Sequence, residues 1–142
     1  MNVEFQRRVD RILGVLLCRL LSLWPSARRG NDDPPPPRRI LVILLSEMGS
    51  LVLAQPMFDR IRERYPKASL YAILFDRNRE ALDLLAVVPP ENILILRSSS
   101  LGALMADTLS AVRRLRRLRL EAVIDCELFS RFSALLSFLS GA

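Results

Sequence analysis

The stretch Arg39-Ile-Leu-Val-Ile-Leu-Leu45, running into the polar loop Ser46-Glu-Met-Gly-Ser50, decides how this chain is read. Its apolar residues follow one another without polar alternation, and the run stands directly behind the proline block Pro34–Pro37. An uninterrupted, β-branched run of this length reads as a strand buried on both faces, as in a parallel sheet. Downstream, Ala54, Met57, Phe58, Ile61 and Tyr65 fall at helical spacing from Ser50, and Pro66 stops that helix. Ser69–Phe75 reads as the second strand. Asp76–Val88 reads as a helix capped by Asp76, with Leu82, Leu85 and Ala86 inward, ended by Pro89-Pro90.

Asn92–Leu96 is the third predicted strand. A loop at Ser98–Ser100 opens a long helix to about Arg119, whose predicted buried stripe is Leu101, Leu104, Met105, Thr108, Val112 and Leu115. Arg113, Arg114, Arg116, Arg117 and Arg119 are expected to project elsewhere, as a solvated face with cations near the helix end. Glu121–Cys126 is the fourth strand and Leu128–Leu139 the last helix, with Gly141 as its terminating glycine. Strands alternating with helices predict an α/β fold: a Rossmann-like, mostly parallel sheet with helices on both faces. Open sheets of this kind usually continue, so the end at Ser140-Gly-Ala142 suggests a piece of a longer protein.

Upstream, residues 1–27 form a basic segment with Leu13, Leu16, Leu17, Leu20, Leu21 and Trp24 at helical spacing and Arg7, Arg8, Arg11 and Arg19 nearby. Such an amphipathic helix fits either an anionic membrane surface or a packing surface on the domain or a partner. Its longest apolar run, Ile12–Cys18, is too short to span a bilayer, which takes about 20 residues. Residues 28–38 read as a proline-rich linker, and residues 39–142 as the folded domain.

The net charge is +6, carried by arginine, with Lys67 the one lysine. The N-terminal arm holds most of the excess, which speaks against a nucleic-acid partner. There is no histidine, and the two cysteines, Cys18 and Cys126, stand alone in apolar runs. A metal site is therefore not expected, nor is histidine-dependent nucleophilic catalysis; no motif for a resident cofactor is read in the chain either.

Chemistry in an open α/β sheet collects at the carboxyl ends of strands. One such end is Ser46–Ser50, where Gly49 suits a tight turn and Ser50 a helix start that presents free N–H groups to a phosphate or carboxylate. The plain alternative is a cap and a strain-relieving glycine. The other end is Asp125-Cys-Glu127 with Arg131, read either as an anion-contacting set or as a local ion pair with a cap.

Three blocks resemble the family 9 glycosyltransferases, the heptosyltransferases of lipopolysaccharide core synthesis. Ile40–Pro56 (ILVILLSEMGSLVLAQP) is similar to the family's first strand, S-S-x-G-D loop and T-x-P helix. Arg62-Glu-Arg-Tyr-Pro66 matches R-x-x-x-P. Val123-Ile-Asp-Cys-Glu127 with Arg131-Phe-Ser-Ala-Leu-Leu136 is similar to V-I-D-x-Q and the helix after it. The resemblance implies the acceptor-side half of a GT-B enzyme that moves a sugar, with inversion, from a nucleotide-sugar donor to a lipid-linked saccharide. The donor would be held by a second domain. It also implies a cytoplasmic location, peripheral to the bacterial inner membrane, and an acidic general base in the first loop.

This chain departs from the pattern there: the family's aspartate falls on Ser50, and Leu44 replaces its basic residue in the first strand. Serine does not act as a base near neutral pH. Glu47 is then the candidate base, with Ser46, Gly49, Glu127 and Arg131 the candidate acceptor- or phosphate-binding residues. The alternative is a non-catalytic binding module descended from such a domain.

Overall fold

The computed structural model describes residues 35–45, 48–127 and 131–142. The predicted helix of the N-terminal arm, residues 1–27, lies outside them.

Four strands, β1 (Arg39–Leu44), β2 (Ser69–Phe75), β3 (Ile93–Leu96) and β4 (Ala122–Asp125), form one sheet in the order β3-β2-β1-β4. All three pairings are parallel, with Ile43 opposite Ile73 on one side and Asp125 on the other. The α/β, parallel-sheet expectation is met. The strands carry few polar residues because both faces are covered. Side chains alternate across a strand, so Ile40, Val42 and Leu44 enter one core and Leu41, Ile43 and Leu45 the other.

The first core is closed by α1 (Met48–Leu53), α2 (Gln55–Arg64) and α3 (Arg79–Leu85), through Leu51, Phe58, Ile61 and Leu82. The second is closed by α4 (Leu101–Leu118) and α5 (Arg131–Ser140), through Ala111, Leu115 and Leu136. Since the strands are parallel, each helix between them runs from the sheet's carboxyl edge back to its amino edge.

Several local expectations are corrected. The helix predicted from Ser50 begins at Met48 and is broken at Ala54. Pro56 has no N–H to give to the preceding turn, so the ladder restarts there, with Met57 N and Phe58 N both donating to Ala54 O. Pro66 does end α2, because the residue before a proline is driven out of the helical region; Tyr65 has φ −129° and ψ 65°.

The predicted helix over Asp76–Val88 resolves into a 3-10 turn, Asp76–Asn78, and the short α3. Ala86 lies outside the core in the left-handed region at φ 50°, while Val87 and Val88 are buried behind it. Arg62 holds this turn by donating to the carbonyls of Ala86 and Val87 at 3.2 and 2.8 Å.

In α4, Ser100 caps the helix by accepting from Ala103 N at 3.2 Å. Leu115 is buried as predicted, and Leu104 and Val112 pack against the same core. Leu101 and Met105, however, are 45 % and 70 % exposed. The buried phase runs through Leu104, Ala111, Leu115 and Leu118, which leaves Met105 on the flank. Arg113, Arg114, Arg116, Arg117 and Arg119 are all exposed, as expected. Gly141 has φ 81°, the conformation expected of a terminating glycine.

Candidate functional site

The strand order fixes where a ligand crevice lies. From β1 the chain moves outward to β2 and β3, then crosses to the opposite side of β1 to form β4. The direction of travel reverses between β1 and β4, so their carboxyl ends flank the topological switch point.

Two of the motif blocks meet there. The Leu45 backbone N–H, just past β1, donates to Oε1 of Glu127, just past β4, at 2.6 Å. Cys126 N donates to Ile43 O at 3.1 Å, which keeps the chain beyond β4 against β1. Glu127 N donates to Oδ1 of Asp125 at 3.0 Å, so the two acidic residues are joined. Asp125 is exposed at the rim and Glu127 is half-buried. Glu127 thus holds the first loop at its root. Arg131 opens α5 and is half-buried.

Ser46 and Glu47 lie outside the described residues. Ser50 and Gly49 are exposed within α1, which corrects two expectations. Ser50 is the third residue of that helix and does not open it. Gly49 has no positive φ, and a Cβ built on it would meet nothing within 4 Å. Among the described residues, neither turn strain nor packing requires that glycine.

Cys126 lies beside this crevice. Burial raises its thiol pKa, and the Asp125 and Glu127 carboxylates add to the rise. The thiol stays protonated at neutral pH and packs 3.8 Å from Sδ of Met57.

A second polar group occupies the same edge beyond β2 and β3, and sequence reading missed it. Oδ1 of Asp76 accepts from Ser98 Oγ at 3.0 Å and from Arg77 N at 3.1 Å. Asp76 therefore ties two strand ends together and is not the cap of α3. Arg97 grips Asp107 through Nε and Nη2 at 2.8 Å each, and its backbone N–H donates to the same carboxylate at 2.9 Å. These bonds hold the Asp107 carboxyl down at about 2.

A shallow depression lies at the opposite, amino edge. It measures about 600 Å³ and is bordered by Arg39, Arg116, Arg119, Leu120, Glu121, Ser140 and Gly141. Among the described residues no group of three or more Cys, Asp or Glu is placed to hold a metal. No described helix is long and apolar enough to cross a membrane.

No family model, curated protein or solved structure matches the chain. What is shown is an α/β fold with a four-stranded, all-parallel sheet.

Proposed function

We propose that this chain is the acceptor-side domain of an inverting glycosyltransferase similar to the lipopolysaccharide heptosyltransferases. It would receive a lipid-linked saccharide, while a second Rossmann-like domain would hold the nucleotide-sugar donor in the GT-B manner. The observation that carries this reading is the Leu45–Glu127 hydrogen bond. It ties the loop after β1 to the segment after β4 at the switch point, and these are two of the three blocks on which the resemblance rests.

In this reading the acceptor hydroxyl attacks the anomeric carbon of the donor and the nucleoside diphosphate departs. The hydroxyl proton passes to a carboxylate of the first loop, for which Glu47 is the candidate. Ser46, Gly49 and Ser50 lie near the acceptor, and Glu127 sets the position of the loop. Arg131, at the start of α5, is the candidate contact for an anionic part of the acceptor. The location that follows is the inner face of a bacterial inner membrane.

A second reading, a binding module without catalysis, is favoured by Ser50. The residue at the family's aspartate position has no carboxylate and lies inside α1.

The test uses the full-length gene product with ADP-heptose and a core-lipid acceptor, following release of nucleoside diphosphate. Wild type is expected to turn over, with Glu47→Gln slower by at least ~100-fold, the low end for a general base. Equal rates for wild type and Glu47→Gln would move the base elsewhere. An inert wild type with every nucleotide sugar supplied would favour the binding module.

A further inference from the structure

The outer edge of β3 carries a depression that the glycosyltransferase reading does not use. It measures about 170 Å³ and is bordered by Ile93, Leu94 and Ile95 of the strand and by Asp107, Ser110 and Arg114 of α4. Consecutive residues of a strand point to opposite faces. A depression bordered by three of them in a row follows the strand's edge, not one face of the sheet. Its other wall is one side of α4, where the lining residues fall at helical spacing. Among the described residues β3 pairs with β2 alone and ends the sheet. Such an edge presents backbone N–H and C=O groups that another strand can take up. Proteins often blunt an edge with a charge or a proline, yet β3 reads Ile-Leu-Ile-Leu.

The charges along this edge are arranged head to tail. Glu91 precedes the strand and Arg97 follows it, and both are exposed. On α4 the order is reversed. Asp107 lies beside the end of β3, where it accepts from Arg97 N at 2.9 Å. Arg114 lies beside the start of β3, where it donates to the Glu91 carbonyl. That carbonyl is neutral, so the bond leaves the Arg114 charge uncancelled. Asp107 accepts three bonds from Arg97, which leaves its carboxylate room for one more.

We propose that two copies of this chain join through β3, with the strands antiparallel and the two sheets made continuous. A two-fold axis through Leu94, the middle of the depression, sets Leu94 against its own copy and Ile93 against Ile95 of the other. It also sets Glu91 against Arg97 of the second copy, and brings each Arg114 toward the other Asp107. The edge is thus complementary to itself, as a two-fold interface must be, and opposite charges across paired strands are favourable. The other edge of the sheet is patterned against such a pairing. Glu121 precedes β4 and Asp125 ends it. An axis through Val123 would set Glu121 against Asp125 of the other copy, which like charge disfavours. The inference is independent of the proposed chemistry, since it needs no turnover.

The experiment is sedimentation equilibrium of the whole protein over a range of concentrations, with hydrogen exchange at the β3 amides in the same samples. Wild type is expected to form a dimer, and the outward β3 amides to gain protection as the dimer fills. Ser110 is exposed on α4, so Ser110→Arg retains the fold while placing bulk and a like charge near the axis. It should raise the dimer dissociation constant at least about tenfold, as facing like charges do. Arg114→Glu sets an acid against Asp107 of the second copy and should weaken the dimer by a similar factor. Arg60→Glu reverses a charge on α2, away from this edge, and should leave the dimer unchanged. A protein that stays monomeric at every concentration overturns the proposal. So does a dimer equally tight in all three variants. Outward β3 amides protected to the same degree at every concentration would also overturn it, because another segment of the same chain would then cover the edge. None of these readouts involves glycosyl transfer, so failure here and failure of the catalytic reading are separable.

Discussion

The Glu127 carboxylate accepts a hydrogen bond from the Leu45 backbone N–H across 82 residues of sequence. Leu45 is only 4 % exposed, so its N–H has little access to water as an alternative partner. Glu127→Ala leaves that donor unpaired and should cost about 1–3 kcal/mol. Glu127→Gln keeps an oxygen acceptor and should cost less. Urea denaturation gives the energies, and hydrogen exchange at the Leu45 amide gives the mechanism. If the Leu45 amide is equally protected in wild type and Glu127→Ala, the bond is not what holds the loop.

Gly49 separates stability from function. It lies in α1 without a positive φ, and a side chain there would meet open space. Gly49→Ala should raise stability by roughly 0.5–1 kcal/mol, the helical cost of glycine. If a substrate approaches the backbone at this point, the same variant should lose turnover while gaining in melting temperature. A stabilised variant with unchanged turnover would remove Gly49 from the candidate site.

Ala86 takes the left-handed conformation that glycine adopts without a steric cost, at φ 50° and ψ 30°. The strain for an L-residue there is about 1 kcal/mol, partly offset by the larger unfolded-state entropy of glycine. Ala86→Gly should therefore leave stability unchanged or raise it by up to ~1 kcal/mol. Ala86→Val should lower it, because a β-branched side chain is worse in that region. Thermal melts of the two variants would decide, and a stabilising valine would mean that the turn relaxes into another shape.

The sequence made the sheet legible because its signals are local. Unbroken apolar runs marked β1 and β2, and Pro66, Ser100 and Gly141 punctuated the helices where sterics or a cap require it. The break at Ala54 was readable in principle from Pro56, since the missing N–H is a property of one residue. The left-handed turn at Ala86 was not, because no glycine marks this helix end, where Ala86 N donates to the Leu82 and Asp83 carbonyls, and Arg62, distant in sequence, bonds the Ala86 and Val87 carbonyls. Periodicity also misled at Met105: the helical phase shows which residues share a face, but not how wide a strip the sheet covers. The candidate site was legible only as types of residue at strand ends. Contacts such as Leu45–Glu127 and Asp76–Ser98 link segments with no spacing rule between them, so only the strand order reveals them.

The Arg97–Asp107 pair clamps the end of β3 to the first part of α4 and should make the domain acid-sensitive in a defined window. Three hydrogen bonds from Arg97 lower the Asp107 carboxyl from its ordinary 3.8 to about 2. A carboxylate with a depressed folded-state pKa stabilises the fold fully above its unfolded value. That contribution fades as pH falls from about 4 and is gone below about 2, where both states bind the proton. Backbone and side-chain donors from Arg38 and Arg39 lower the Glu121 carboxyl as well, so the acid response has a second contributor. Asp107→Asn cannot titrate and should flatten the stability profile between pH 2 and pH 4 relative to wild type. Because Arg97 is exposed to solvent and salt, the difference should shrink as ionic strength rises. Urea midpoints measured across that range at two salt concentrations would show it. Parallel profiles for wild type and Asp107→Asn would mean that Arg97 does not hold Asp107 in solution.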